Sequence, residues 1–231
     1  MLNLVHYKHA LVCQVEPPVM TEMLVTGPLY EYVMAGNGLF LQARSRALQV
    51  TLPLAWARVQ GLAHLMPTVR LAGGLVPREL LREMWRKSRE AAGEPQRAVP
   101  PREILFYLLA GATGCWQLVE PPQMQSGGSV RPLETGPGSA YAQAVIEVHS
   151  HHRHPPRFSA WDDDDEQGFR LYGVLGYLGR QDKRPTLRLR VGVYGHFCEI
   201  PASLAFALPE GLADAVALEN PARHWQGIPP S

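Results

Sequence analysis

Cysteine is scarce in this chain, and what there is cannot brace a fold. Cys13, Cys115 and Cys198 are odd in number and far apart, and no Cys-x-x-Cys occurs. That excludes a disulfide framework and fits reduced thiols packed as small buried groups. Net charge is equally scarce: 22 Lys and Arg against 21 Asp and Glu leave a formal +1. The balance gives no electrostatic case for binding nucleic acid. No apolar run is long enough to cross a bilayer, and MLNLVHYKHALVCQV lacks both an uninterrupted apolar core and a small-residue cleavage pattern. The expectation is a cytoplasmic protein with no membrane span and no signal peptide. Several motifs are also missing. Gly36-Asn37-Gly38 lacks the third glycine and the following helix of a dinucleotide fingerprint. Neither His-Glu-x-x-His nor the His-x-Glu with Pro-Cys-x-x-Cys of the zinc deaminases occurs.

What is present is a chain of 231 residues, 46% hydrophobic, with 21 Pro and 21 Gly. That suffices for one large domain or two small ones, with many turns and short strands. Residues 1–75 read as mainly β, with strands expected at 9–15, 29–34, 38–43, 47–52, 55–60 and 67–72. Gly36-Asn37-Gly38 is a strong turn signal between two of them. Residues 76–92 read as an amphipathic helix: Pro77 suits its first turn, and Leu80, Leu81, Met84 and Trp85 form one apolar face. Glu83 and Lys87 are spaced for an i,i+4 pair. GEPQRAVPP at 93–101 reads as a linker. The domain expectation is a β-rich unit at 1–95 ending in that helix, a second domain at 98–207, and a partly frayed tail at 208–231.

Within the second domain a short helix is expected at 101–110, burying Ile104, Leu105, Leu108 and Leu109, with Glu103 in its first turn. A strand is expected at 115–120, a flexible insertion at 121–140, and strands at 171–178, 186–194 and near 196–200. In LRLRVGVY, Arg188 and Arg190 share one strand face and Leu187, Leu189 and Val191 the other.

The most informative stretch is EVHSHHRHPPRFSAWDDDDEQGF at 147–169. AVIEV before it is β-forming, so His149 and His151, at i and i+2, face the same side. The proline-rich loop turns the chain, and Ser159 suits the N-cap of a helix carrying Asp162 in its first turn. Two imidazoles and a carboxylate suit Zn²⁺ with one coordination position left open. The plainer alternative is a polar loop with a histidine cluster and a solvated acidic run. For Glu103 the plainer alternative is a favourable charge at a helix N-terminus.

The pattern His149-x-His151-x7-Ser159-x-x-Asp162, with Pro101-x-Glu103 and an apolar run ending at Gly111, resembles the signature of the JAMM metalloproteases, also called MPN-plus or Mov34/PAD-1 domains. Phe106 and His152 stand where many members have Gly and Pro. The resemblance spans about 98–205. It implies an α/β fold, a cytidine-deaminase-like sandwich around a mixed sheet, here preceded by the β-rich unit. It also implies Zn²⁺ on His149, His151 and Asp162, with Glu103 holding and deprotonating water and Ser159 stabilising the oxyanion. FSAWDDDDEQGFRLYGVLG and PLYEYVMAGNGLFL further resemble a bacterial branch found in ParB-related, ThiF-related (PRTRC) cassettes. The expectation is then a zinc hydrolase of peptide or isopeptide bonds. Its substrate would be a protein of ubiquitin-like type, and its partners ThiF-like and ParB-related cassette proteins. The alternative is an MPN-type binding scaffold without catalysis.

Overall fold

The turn at Gly36-Asn37 closes a hairpin between β2 (Tyr30–Ala35) and β3 (Gly38–Arg44), with Ala35 opposite Gly38. This is a computed structural model, and it describes residues 5–9 by their backbone, 28–93, 100–111 and 114–219. Gly38 has φ +145°, and a Cβ there would lie 2.1 Å from the Ala55 carbonyl oxygen, so only glycine fits. β1 (Val5–His9) runs parallel to β2, while β4 (Leu48–Trp56) and β5 (Thr68–Leu71) continue antiparallel beyond β3, giving a five-stranded sheet ordered as in the sequence. Two strands expected at 47–52 and 55–60 are one, β4, and 57–60 lie beyond it. Its register shifts so that Phe40 pairs with Pro53 and Leu39 with Ala55, which leaves Leu54 as an extra residue. That bulge accommodates a proline inside a strand, because β5 pairs β4 only as far as Thr51. The strand expected at 9–15 falls outside the described residues apart from His9, as do most of the 93–101 segment and the chain beyond Glu219.

The chain forms two compact units that divide between Ala72 and Gly73. Helix α1 (Arg78–Ala92) belongs to the second unit, so the boundary falls before it and not after it. It buries Leu81, Met84, Ser88 and Ala92. The expected Glu83–Lys87 pair is stretched to 3.9 Å, because Arg86 takes Glu83 at 2.7 Å and Lys87 reaches Glu120 at 2.8 Å.

The second unit is built on a seven-stranded mixed sheet. Its strands are β6 (Leu105–Ala110), β7 (Trp116–Val119), β10 (Ile146–Ser150), β11 (Arg170–Gly176), β12 (Thr186–Val193) and β13 (His196–Ile200), in the order β13-β12-β11-β10-β6-β7, with β14 (Ala213–Asp214) beside β12. Between β7 and β10 come a small hairpin, β8 (Gln123–Gln125) with β9 (Val130–Pro132), and the four-residue helix α2 (Ala140–Gln143). The architecture is mixed α/β, with several sheets and few helices.

Three expectations are corrected. Residues 105–110 form a strand and not a helix. LFYLLA is apolar at every position, so its periodicity fits either structure, and it lies in the sheet between β10 and β7. The insertion at 121–140 is structured by its hairpin. The tail expected from 208 is folded through Glu219: Leu212, Ala213, Ala215 and Val216 are buried, and Asp214 caps helix α4 (Ala215–Glu219), accepting the Val216 and Ala217 amides at 3.1 and 3.3 Å.

Only β10–β11, among the main strands of this sheet, is a parallel neighbour pair, and parallel neighbours need a crossover. The crossover contains α3 (Ala160–Asp165). Cross-strand pairing puts Tyr107, Glu147, Tyr172 and Arg190 in one row on one sheet face, with His149 and Arg188 one row along. The opposite face carries Phe106, Val148, Leu187, Leu189 and Val191, all fully buried. One face is therefore hydrocarbon, and the other mixes buried charge with an apolar cluster around Leu105 and Tyr107.

Candidate metal centre

The carboxyl end of β10 opens into the crossover loop, and there the chain collects the groups that could ligate a metal. His149 is buried on the strand, and His151 stands just beyond it, its amide bonded to the Leu175 carbonyl at 2.8 Å. The loop 151–156 passes across the end of β11 at Gly176, where a Cβ would lie 2.4 Å from the Pro156 nitrogen. A missing side chain thus lets the loop lie against the sheet.

Ser159 is the N-cap of α3, and with Asp162 it makes a complete capping box. The Asp162 amide donates to Ser159 Oγ at 3.3 Å, while the Ser159 amide and hydroxyl both donate to Asp162 Oδ2, at 2.6 and 2.7 Å. Oδ2 is thereby consumed, and Oδ1 points to His149 Nε2, 3.4 Å away. The helix cap aims the carboxylate.

One donor atom each from His149, His151 and Asp162 lies within 4.8 Å of the others. His149 Nε2 and His151 Nε2 are 3.1 Å apart. Two ligands on a tetrahedral zinc ion, with bonds of ~2.0–2.2 Å, stand roughly 3.3–3.5 Å apart. The observed 3.1 and 3.4 Å fall close to that geometry. His151 Nδ1 lies 3.2 Å from the Pro155 carbonyl oxygen. A carbonyl can only accept, so Nδ1 carries the proton and the Nε2 lone pair is free to ligate. Burial holds both histidines below their usual pKa, against the pull of Asp162, and so keeps them in the neutral form that binds metals. Burial acts to raise the Asp162 pKa, but His149 and the Ser159 hydrogen bonds outweigh it and the net direction is down. The donor set fits a divalent zinc ion.

Glu103 lies in the extended segment leading into β6, not in a helix, so its alternative reading as a helix-dipole charge has no helix to serve. Leu105 pairs with His149 across the antiparallel β6–β10 ladder, and continuing that register puts Glu103 opposite His151. Its amide donates to the Ser126 carbonyl at 2.9 Å, which ties it to the β8–β9 hairpin. The residue is 7% exposed, and burial, then the charge of Asp162, pushes its carboxyl pKa up to about 7. That suits a group that must both take and give a proton near neutral pH.

Sequence reasoning missed the network that anchors α3. Arg190, on β12, is 4% exposed. It donates from Nε and Nη2 to Glu166 at 2.9 and 2.6 Å and from Nη1 to Asp163 at 2.5 Å. Its guanidinium lies between the Phe158 and Phe197 rings, 3.9 and 3.8 Å from their centroids. Burial raises the Glu166 pKa to about 8 while Arg190 pulls it back. Of the acidic run, Asp163 pairs with Arg190 and Asp165 reaches Arg131 at 3.5 Å. The signal was two arginines on one face of an otherwise apolar strand.

No protein-family model matches the chain, and no curated protein matches it. Among solved structures, a protein from Salinibacter ruber determined in solution is similar at 18% identity and a TM-score of 0.34, covering 57% of this chain and 89% of that one. A likeness of that size carries no argument about fold or function. Among the described residues, no helix is long and apolar enough to cross a membrane.

Proposed function

We propose that the second unit is a zinc-dependent hydrolase of JAMM/MPN type that cleaves a peptide or isopeptide bond. The observation that carries the reading is the convergence of His149, His151 and Asp162, with His149 3.1 Å from His151 and 3.4 Å from Asp162, beside a strand register that sets buried Glu103 opposite His151. The βαβ crossover, with the ligands at its β10 and α3 ends, supports a cytidine-deaminase-like arrangement.

His149, His151 and Asp162 would hold the ion. When bound, zinc supplies Lewis acidity, acidifying water and polarising a carbonyl. Glu103 takes a proton from the attacking water and passes it to the leaving amine, which a carboxyl with a pKa of about 7 can do in both directions. A bound cation lowers that value, which favours the proton-accepting form. Ser159 holds Asp162 through its amide and hydroxyl. The same hydroxyl stands beside the ligand and can turn to donate to a developing oxyanion.

The cassette resemblance directs the choice of substrate to a small ubiquitin-like protein bearing a C-terminal extension, handled together with ThiF-like and ParB-related partners. The test is trimming of that extension by purified, zinc-loaded protein, followed by mass spectrometry. Glu103→Gln is expected to cut turnover about 10²–10⁴-fold while zinc stays bound. Undiminished turnover in that variant refutes the mechanism. Less than stoichiometric zinc, with a folded His149→Ala variant that still binds partners, would favour the scaffold instead.

A further inference from the structure

We propose that Arg190, remote in sequence from every ligand, is the positioning residue that sets Asp162 at metal-binding distance from His149. The inference rests on the zinc reading above. α3 has six residues, far too few to be stable by itself. Something outside the helix must fix its place, and among the described residues Arg190 does so with buried contacts to Glu166 and a partly exposed one to Asp163. It holds Asp163, immediately after the ligand, and Glu166, whose amide donates to the Asp162 carbonyl at 2.9 Å. Both arms therefore grip the turn that follows Asp162, and the Ser159 cap holds its other side.

The anchor is rigid at both ends. The Phe158 and Phe197 rings clamp the guanidinium plane, and Phe158 immediately precedes the Ser159 cap. On the sheet, Arg190 sits opposite Tyr172, and Tyr172 opposite Glu147, which is two residues from His149 on β10. One side chain thus ties the strand framework that presents the imidazoles to the helix that presents the carboxylate. The job needs a planar fork with several donors, which lysine lacks. The Asp163 carboxylate against the guanidinium also keeps a lone buried cation from repelling the metal.

The experiment is zinc titration of full-length, metal-stripped protein against a competing chelator, with thermal melting of the same samples. Wild type is compared with Arg190→Lys, Arg190→Met and Asp163→Asn. The Asp163 side chain is 53% exposed, so its variant strips the charge from one arm, leaving at most a neutral hydrogen bond, and keeps the fold, and it decides the matter if Arg190→Met does not fold. Zinc affinity is expected to fall about 10–100-fold in Arg190→Met, and less in Asp163→Asn. Arg190→Lys should rescue melting more than affinity, a split that a merely structural role would not give. Wild-type protein that takes up no zinc overturns the metal reading and this inference with it. Wild type that binds zinc, alongside folded variants that bind it equally well, overturns this inference alone.

Discussion

The two sheets of this protein solve the same packing problem in opposite ways. The first unit's strands follow chain order, and its buried polar residues among those described are Asn37 and Thr51. Asn37 is held through both its amide nitrogen and its oxygen, donating to the Leu65 carbonyl at 2.8 Å and accepting the Leu65 amide at 2.9 Å. The second unit's sheet inserts a crossover and buries Glu103, His149, Glu166, Arg170, Arg188 and Arg190. Burying charge is costly unless each group is paired. Most of these are: Arg170 reaches Glu147 at 3.3 Å, and Arg188 reaches Glu199 at 2.5 Å and the Pro156 carbonyl at 2.7 Å. Glu103 is the contrast, because no cation or hydrogen bond holds its carboxylate among the described residues. A stable fold tolerates such a group where its chemistry is needed.

That contrast can be attacked from both sides. The largest effect is expected in the first unit. Gly38→Ala drives a Cβ into the Ala55 carbonyl in a backbone conformation suited to glycine, and should cost on the order of 3 kcal/mol, read from denaturant unfolding. Tolerance of alanine there would mean that the hairpin is not held as described. In the second unit the sign reverses. Glu103 has a folded pKa of about 7 against an ordinary 4.5. Its raised pKa favours folding below about pH 4.5, and that contribution is lost as pH rises through 7. Metal-free Glu103→Gln should therefore be more stable than wild type above neutrality, by on the order of 2 kcal/mol, with the gap closing in acid. Melting curves that stay parallel across pH would remove the case for a strained carboxylate. The smallest effect is at the helix cap. Ser159→Ala should cost about 1 kcal/mol, and Ser159→Gly only a few tenths. Both remove the hydroxyl that holds Asp162 Oδ2, so both should weaken zinc binding alike. Affinity that tracks stability instead would separate the cap from the ligand.

What could be read from sequence follows the same divide. The Gly36-Asn37-Gly38 hairpin and the Ser159 cap were legible because turns and caps are written in adjacent residues. The convergence of His149, His151 and Asp162 was legible because strand alternation and a first-turn position fix directions locally. β6 was not, since LFYLLA carries no periodicity to separate strand from helix. Arg190 was not, because its partners lie 24 and 27 residues away and only the crossover brings them together. The folded segment after 208 was hidden by its alanine-rich composition.

The double use of Asp162 has a thermodynamic consequence. One carboxylate oxygen closes the first turn of α3 while the other faces the imidazoles. Whatever free energy an ion gains by finding that oxygen already aimed, the ion must return to the turn as added protection against fraying. Amide hydrogen exchange along 160–166 should thus slow as zinc is titrated in, and the backbone there becomes a reporter of occupancy that needs no substrate at all.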